Sequence, residues 1–288
     1  SGAAVYTSAG GNSQIHIYGT IKGNRTDVDG GAICSNGFTY VYASSEISDN
    51  SAGRNGGGIY NYGGGVASIS GGNHSGNTAV GNGGFFWADG KTTISGGTIT
   101  GNSAANGGGI YGENSPNTVA RILELTGGTL TGNTATSGDD IYTRTNHVSF
   151  RGNITVGDIY IPSGVSLIVN GAITGSVGFS YGGEPAADGT TVFTGSGYTI
   201  KATDAEKIKS VDEKMVSEFV NSKVVVKYAP VKINTQPQSI EKVSMNEPAS
   251  LSIEAVSLTG TEVHYQWYRC DDAEGSNPTA IEDATNAQ

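Results

Sequence analysis

The chain has 288 residues, 46 of them glycine, and a formal net charge of −10. This acidic balance, without any run of lysine or arginine, argues against nucleic acid or an anionic membrane surface as a partner. Apolar runs fall far short of the roughly 20 residues that a membrane span needs, so no membrane insertion is expected. Glycine does not recur at every third position, which excludes a collagen-like chain.

Glycine usage divides the chain into regions. Only Gly260 and Gly275 follow Lys201. We therefore expect a glycine-rich domain at residues 1–200, a capping segment at 201–230 and a different domain at 231–288. Cys34 and Cys270 fall in different regions, and no disulfide between them is expected.

A glycine-rich motif followed by an apolar residue recurs along the first region. The sequence GGGIY stands at residues 56–60 and again at 107–111, and GGAI stands at 30–33. The apolar position of the motif is assigned to Val5, Ile33, Ile59, Phe85, Ile110, Ile141 and Ile159, at intervals that cluster at about 26 residues. A fixed period of this size indicates a repeat architecture.

An asparagine runs in step with this motif, in the frame (Ile/Leu)-x-x-Asn-x-(Ala/Thr). Its members are Asn24, Asn50, Asn77, Asn102 and Asn133, with His74 in place of the apolar residue before Asn77. We interpret the set as an internal ladder of stacked amides that hydrogen-bond from one repeat to the next. The alternative is a polar groove for a ligand.

Each period contains three short apolar segments separated by Gly, Asn, Ser and Thr. The segments are too short for helices, and the alternation in Ile15-His16-Ile17-Tyr18 is typical of a strand. One period fits one coil of a single-stranded parallel β-helix with three strands per coil, its neighbouring strands ~4.8 Å apart. We predict an all-β fold with about six to seven such coils, in which glycine permits the sharp bends between sheets.

These motifs resemble the repeats of polymorphic outer-membrane proteins and related adhesins, whose signatures are Gly-Gly-Ala-Ile and Phe-x-x-Asn. Here GGAI is intact at residues 30–33, whereas Ile, Leu or His replaces the Phe, as in ITGNSA and LTGNTA. That variant is similar to repeats of large surface proteins from Gram-positive gut bacteria. The resemblance covers roughly residues 1–175 and implies a right-handed parallel β-helix, export and a role at the cell surface.

The residue after each apolar position is expected to point outward, because strand side chains alternate. An aromatic stripe is therefore predicted that includes the ligand-binding candidates Tyr60, Phe86, Trp87, Tyr111 and Tyr142, with Tyr6, Cys34 and Tyr160 at the remaining positions. Two hypotheses remain open for this stripe. Its ring faces bind sugars, or the rings simply support adjacent coils, as cross-strand aromatic pairs do.

Catalysis requires carboxylates close together, or an acidic metal site beside a basic residue. The candidates are Asp139, Asp140 and Asp158, with Arg121, Arg144 and Arg151 nearby. The alternative is that Asp replaces Gly at a turn, where it is well tolerated. Asp27 and Asp29 are the candidates for a calcium site, but they supply only two carboxylates. We assign no catalytic residue, no metal site and no cofactor, and we give His16 no partner.

The segment after residue 200 is predicted to cap the repeats. Residues 203–209 predict a short helix with Thr203 as N-cap and Glu206 as its capping-box partner. Residues 214–228 predict a hairpin that turns near Asn221 and Ser222, with a helix through Phe219 as the rival.

From residue 231 the alternating pattern and the sequence YQWY resemble a bacterial immunoglobulin-like domain with Trp267 in its core. Too few strands fit before residue 288, so we expect a truncated Ig-like β-sandwich cut from a longer modular protein.

The expected function is that of a non-catalytic cell-surface or secreted bacterial protein, an adhesin or stalk located outside the cell. The expected partners are a glycan, a host or extracellular protein, and further modules of the parent chain. A carbohydrate-active enzyme, either a polysaccharide lyase or a glycoside hydrolase, is the alternative.

Overall fold

A computed structural model describes residues 3–7, 13–113, 123–229, 231–235, 251–257, 263, 265–271, 276–281 and 285. Within these residues the regular structure is β-strand apart from one single-turn helix, so the predicted all-β class is confirmed. The chain divides into two compact units. The first is Ser1–Asp212 with Val216–Lys227, and the second is Glu213–Met215 with Tyr228–Gln288.

The first unit is built on a large, mainly parallel sheet in which successive repeats add strands to three columns. The first column contains Val5–Thr7, Ile33–Ser35, Ile59–Asn61, Phe86–Ala88, Ile110–Gly112 and Ile141–Thr143, and ends in the last residues of Val148–Ile161 and Ser176–Tyr181. The second column contains Gln14–Ile17, Phe38–Val41, the first residues of Val66–Ser75, Thr92–Thr100, Leu123–Leu130 and Val148–Ile161, and then Leu167–Ile173 and Thr190–Gly195.

The third column follows each strand of the second. It contains Thr20–Lys22, Glu46–Ser48, the last residues of Val66–Ser75, Thr92–Thr100 and Leu123–Leu130, the middle of Val148–Ile161, the first residues of Ser176–Tyr181, and Ile208–Ser210. A separate small parallel sheet joins Arg25–Thr26, Ser51–Ala52 and Thr78–Ala79.

Equivalent residues of successive repeats lie side by side in these columns. Ile33 pairs with Ile59, and Ile110 pairs with Ile141. These side chains have no solvent exposure, and together with those of the other columns they form the core of the unit. The large parallel sheet is curled, an arrangement that is compatible with the predicted β-helix.

The structure corrects the assignment of the fourth repeat by one residue. Phe86, not Phe85, pairs with Ile59 and with Ile110, so Phe86 points inward and Trp87 takes the outward position. The register follows the glycine with positive φ that stands three residues before each inward residue, which here is Gly83. Phe85 occupies the position that holds Ala32, Gly58, Gly109 or Asp140 in the other motifs, and it is also fully buried.

Gly107, the equivalent of Gly83 in the next repeat, shows why the motif requires glycine. Gly107 has a φ of +60°, which L side chains rarely adopt, and a Cβ there would overlap the carbonyl oxygen of Ile110. The next residue, Gly108, would place a Cβ 2.5 Å from the carbonyl oxygens of Asp139 and Thr134 in the following repeat. The first glycine therefore permits the bend, and the second permits close approach of neighbouring repeats.

The predicted helix is shorter than expected and is capped differently. It spans Ala202–Ala205, with Lys201 rather than Thr203 at the N-cap. The buried carboxylate of Asp204 accepts hydrogen bonds from the Lys201 N–H at 3.0 Å, the Tyr198 hydroxyl at 2.8 Å and the Ile173 N–H at 3.0 Å. These three donors fix the helix start at Lys201, so the capping box with Glu206 was a wrong prediction.

Strands, rather than the rival helix, occupy the segment after this helix. Met215–Val220 and Lys223–Tyr228 flank Asn221 and Ser222, which have φ values of 48° and 59°. Positive φ at both central residues is the geometry of a type I′ hairpin turn. Lys223–Tyr228 pairs antiparallel with Thr190–Gly195 and so ends the parallel run of the second column.

The second unit contains two short antiparallel pairs in its described residues. Val231–Thr235 pairs with Glu254–Ser257, and Tyr268–Arg269 pairs with Thr279–Ala280. Trp267 is half-buried rather than enclosed in a core, and its carbonyl accepts the Ile281 N–H at 2.9 Å. The Ig-like assignment stays a prediction. Cys34 and Cys270 are both free thiols.

Candidate functional site

The five predicted asparagines are joined by side-chain hydrogen bonds, which we call the first ladder. Each Nδ2 donates to the Oδ1 of the next member, at 3.0, 2.9, 2.9 and 2.8 Å along Asn24, Asn50, Asn77, Asn102 and Asn133. The backbone N–H of each donor residue bonds to the same oxygen. All members but Asn24 are buried, so their amides form hydrogen bonds inside the unit and face no open groove.

A carboxylate ends the first ladder. Asn133 donates from Nδ2 to Oδ1 of Asp140 at 2.7 Å, and the other oxygen of Asp140 accepts the Asp158 N–H at 2.8 Å. Asp158 in turn accepts the Ser180 hydroxyl at 3.1 Å and the Asp139 N–H at 3.3 Å. Burial raises the pKa of both Asp140 and Asp158. Each of these carboxylates therefore accepts a backbone N–H from another segment of the chain, whereas Asp158 Oδ1 is buried without a hydrogen-bond partner among the described residues.

The arginines proposed as basic partners pair with other carboxylates. Arg144 lies 3.5 Å from Glu113, and Arg151 lies 3.0 Å from Glu124. Arg121 lies outside the described residues. These pairings favour a turn role for Asp140 and Asp158 over a role as a catalytic pair.

A second amide ladder, which sequence reasoning missed, precedes the bending glycines. Asn55 donates from Nδ2 to Asp29 at 3.0 Å, the Asn82 N–H donates to Asn55 Oδ1 at 3.0 Å, and Asn106 donates to Asn82 at 2.8 Å. The signal was visible, since each member directly precedes the positive-φ glycine of its motif. Arg54 lies 3.4 Å from Asp29, so this residue of the suggested calcium site already has partners. Across the described part of the chain, no group of three or more His, Cys, Asp or Glu is placed to hold a metal ion.

The predicted aromatic stripe is largely stacked on itself. Ring centroids are 4.4 Å apart between Tyr60 and Trp87, and 5.3 Å apart between Tyr111 and Tyr142. Trp87 and Tyr111 are only 8% and 4% exposed, and Phe86 is in the core. Burial also raises the pKa of Tyr60 to about 12. Ring faces in this stripe are occupied by neighbouring rings, which leaves little face for a ligand.

A second aromatic cluster, which we call the aromatic shelf, lies on the outer face of the second column. It consists of His16, Tyr18, Phe38, Tyr40 and Tyr42. The His16 ring stacks on Tyr40 at 4.8 Å, Tyr18 stacks on Tyr42 at 4.2 Å, and Phe38 and Tyr40 are 6.4 Å apart with a 4° interplanar angle. His16 was given no partner from the sequence, yet its Nδ1 lies 2.9 Å from the Tyr42 hydroxyl and its Nε2 lies 3.1 Å from Gln14 Oε1.

A shallow depression of about 480 Å³ lies on the third column. Its lining includes the hydroxyls of Thr131, Thr155 and Ser176, beside Lys207 and Lys209. Lys207 is held in the fold, because its Nζ donates to the Ile173 carbonyl at 2.7 Å. The depression is open, its lining surface is mainly apolar, and it contains none of the predicted site residues.

Within the described ranges, no helix is both long and apolar enough to cross a membrane. Comparison of the chain with protein-family models, curated proteins and solved structures gave no match.

Proposed function

We propose that this protein is a non-catalytic, extracellular bacterial protein whose first unit is a right-handed parallel β-helix acting as a rigid adhesin or stalk. The observation that carries the proposal is the continuous register of the three columns together with the buried first ladder. Each repeat contacts its neighbours through backbone pairing, packed apolar side chains and buried amides. Such a unit resists bending, which suits a spacer or an adhesive module.

The disposition of the carboxylates supports a non-catalytic role. A glycosidase or lyase needs carboxyl groups directed at a substrate, with a proton donor or base beside it. Asp139, Asp140 and Asp158 instead accept backbone N–H groups at 2.8–3.3 Å. The competing proposal is a carbohydrate-active enzyme, and its only support is that polysaccharide lyases and glycoside hydrolases also occur on β-helix scaffolds.

We expect the partner to be a glycan or a host or extracellular protein, bound on the outer faces of the unit. In this proposal the second unit is an Ig-like module that joins the repeats to further modules of the parent chain. Location outside the cell follows from the same proposal.

The proposal is tested by incubating the protein with a panel of neutral and acidic polysaccharides and assaying new reducing ends and unsaturated uronic ends. We expect neither product, and retention of the protein on some immobilised glycans or extracellular-matrix proteins. Turnover that disappears in Asp139→Asn or Asp158→Asn, but persists in Asp212→Asn outside the cluster, would establish the enzyme instead.

A further inference from the structure

The aromatic shelf contains a row of rings that runs along one strand. Phe38, Tyr40 and Tyr42 occupy alternate outward positions of the second repeat. The ring planes of Phe38 and Tyr40 are nearly parallel, and the rings of Tyr40 and Tyr42 lie within 21° and 12° of the His16 ring plane. The three rings thus form a row with similar ring orientations, which we call the platform.

The two faces of this platform have different neighbours. On the side of the preceding repeat, His16 covers Tyr40 and Tyr18 covers Tyr42. On the side of the following repeat, the paired positions hold Val66 beside Phe38 and Ser68 beside Tyr40, and Ser70 follows next to Tyr42. These side chains are too short to cover a ring, and no aromatic ring from the described residues stacks on that face. The face of the platform toward the following repeat therefore has no aromatic ring of the described chain stacked on it, and we call this uncovered face the ledge.

No formal charge stands at the outward positions of the second column in the first three repeats. The outward positions of the second column in these three repeats are Gln14, His16, Tyr18, Phe38, Tyr40, Tyr42, Val66, Ser68 and Ser70, with His counted as neutral. The nearest charged residue of this column is Lys91, which lies beside Val66 in the next repeat, at the register of Phe38 rather than of Tyr40 and Tyr42. The pair of Glu124 and Arg151 lies further along the column. Hydroxyl, amide and imidazole groups rim the ledge, so it offers hydrogen bonds without selecting for an ionic ligand.

We propose that the aromatic shelf binds a chain of neutral pyranose sugars, which rests on Tyr40 and Tyr42 and passes over Ser68 and Ser70. This inference rests on the proposed function and names its ligand class and site. A pyranose ring has a face of C–H bonds and a rim of hydroxyls, which matches the electron-rich ring faces and the polar rim. The strands of neighbouring repeats are ~4.8 Å apart, so a sugar ring takes the place of the ring that the third repeat lacks.

A peptide fits this surface less well. Extended peptides gain most of their affinity by adding a strand to an open sheet edge. The shelf lies on the outer face of a strand whose two edges pair with Gln14–Ile17 and with Val66–Ser75. The shelf therefore offers uncovered ring faces, on which a sugar can stack, but no open strand edge for a peptide.

The test is calorimetric titration of the full chain with soluble neutral glucans, galactans and mannans, and with polygalacturonate as the acidic comparison. Two variants address the shelf: Tyr40→Ala removes the platform, and Ser68→Tyr supplies the missing third ring from within the protein. Two matched controls leave it intact: Tyr142→Ala changes the aromatic stripe, and Thr194→Tyr adds a ring to the far end of the same column. Circular dichroism verifies the fold of each variant.

We expect at least one neutral polysaccharide to bind, with affinity at least tenfold lower for Tyr40→Ala and for Ser68→Tyr and within twofold of the parent for both controls. Unchanged binding in Tyr40→Ala, equal loss in Tyr142→Ala, preference for polygalacturonate, or no binding of any neutral polysaccharide would each overturn the inference. Each of those results would leave the non-catalytic proposal standing, because that proposal fails only if a polysaccharide is degraded.

Discussion

Buried amides give the repeats of this protein their register. Asn102 accepts two hydrogen bonds from Asn77 and donates to Asn133, His74 and Thr100. In a buried site each lost partner leaves a polar group without solvent, which costs about 1–3 kcal/mol per group. Replacing the asparagine at this position should therefore cost more stability than replacing a buried apolar residue of similar size with an equally small one.

Replacing Asn102 by Ala should lower the free energy of unfolding by about 2–4 kcal/mol, because it orphans donors on Asn77 and an acceptor on Asn133. The measurement is urea denaturation followed by circular dichroism. Asn73→Ala is the matched control, since Asn73 is an exposed asparagine on a third-column strand, and it should change stability by less than about 0.5 kcal/mol. Equal effects of the two substitutions would contradict the structural role of the first ladder.

His74 is a buried titratable group at an otherwise apolar position. It pairs with Ile47 and Ile99, stacks on Phe85 at 4.6 Å, and bonds the Gly71 carbonyl through Nε2 at 3.0 Å. Its Nδ1 is buried without a hydrogen-bond partner. Burial lowers the pKa of His74 to about 4.

We expect this histidine to make the protein acid-sensitive. The folded state keeps it neutral, whereas the unfolded chain takes up a proton below pH 6.5, so stability is complete above that pH and falls as the pH drops toward 4. The loss should reach about 3 kcal/mol over that window. His74→Ile should remove this part of the pH dependence, as measured by urea denaturation at pH 7.5 and pH 4.5. An identical loss in the variant and the parent would refute the assignment.

At the scale of the residue, spacing alone was enough to find the first ladder. It was insufficient for the second ladder, whose members look like ordinary turn residues before glycine. It also missed the contacts of His16, because aromatic partners were sought only after the glycine motif. Tyr40 and Tyr42 lie 24 and 26 residues beyond His16, in a different column. Side-chain contacts between repeats depend on the local interval, which varies with each loop.

At the scale of the element, the bending glycine decides which residue points inward. Phe85 and Phe86 are equivalent by composition and nearly equivalent by spacing, so the pattern of apolar residues does not distinguish them. The backbone does, because the turn fixes Gly83 at positive φ and sets Phe86 three residues later. Knowing which glycine bends the chain would have placed Trp87 outside and Phe86 in the core.

Gly107→Ala should therefore be much more damaging than Gly101→Ala. Both glycines have φ near +60°, but a Cβ at Gly107 would overlap the Ile110 carbonyl, whereas one at Gly101 has its nearest neighbour at 4.0 Å. We expect Gly101→Ala to cost about 1–2 kcal/mol from backbone strain alone, and Gly107→Ala to cost about 2 kcal/mol more through overpacking. Thermal unfolding of both variants checks the difference, and a larger shift for Gly101→Ala would count against it.

At the scale of the whole molecule, the all-β class and the parallel pairing followed from the period. Three short strands per repeat can bury their apolar faces only against neighbouring repeats. The capping elements were less predictable, because the helix at Ala202–Ala205 is fixed by the distant Ile173 and by Tyr198 as well as by its own sequence. Sequence patterns predict local structure more readily than they predict hydrogen bonds between distant residues.

Removal of one complete repeat should leave a folded protein. Asn82 pairs with Asn106, so excision of residues 82–105 joins Gly81 to an equivalent asparagine and preserves the columns. We expect a cooperative unfolding transition and a β-type circular dichroism spectrum, with stability reduced because fewer repeats share the interfaces. Excision of only residues 82–93 breaks the register and should abolish that transition. Loss of folding in both deletions would show that the repeats are not interchangeable.

The carboxylates that end the two ladders have a consequence for how the protein can change in evolution. One ladder finishes on Asp140 and the other, whose bonds point the opposite way, finishes on Asp29. Each anion satisfies the donors that a last amide would otherwise leave unpaired. A gene duplication that copies a unit between these two boundary residues inherits correct termini without further mutation, so the number of units can grow or shrink by recombination while both ends stay intact.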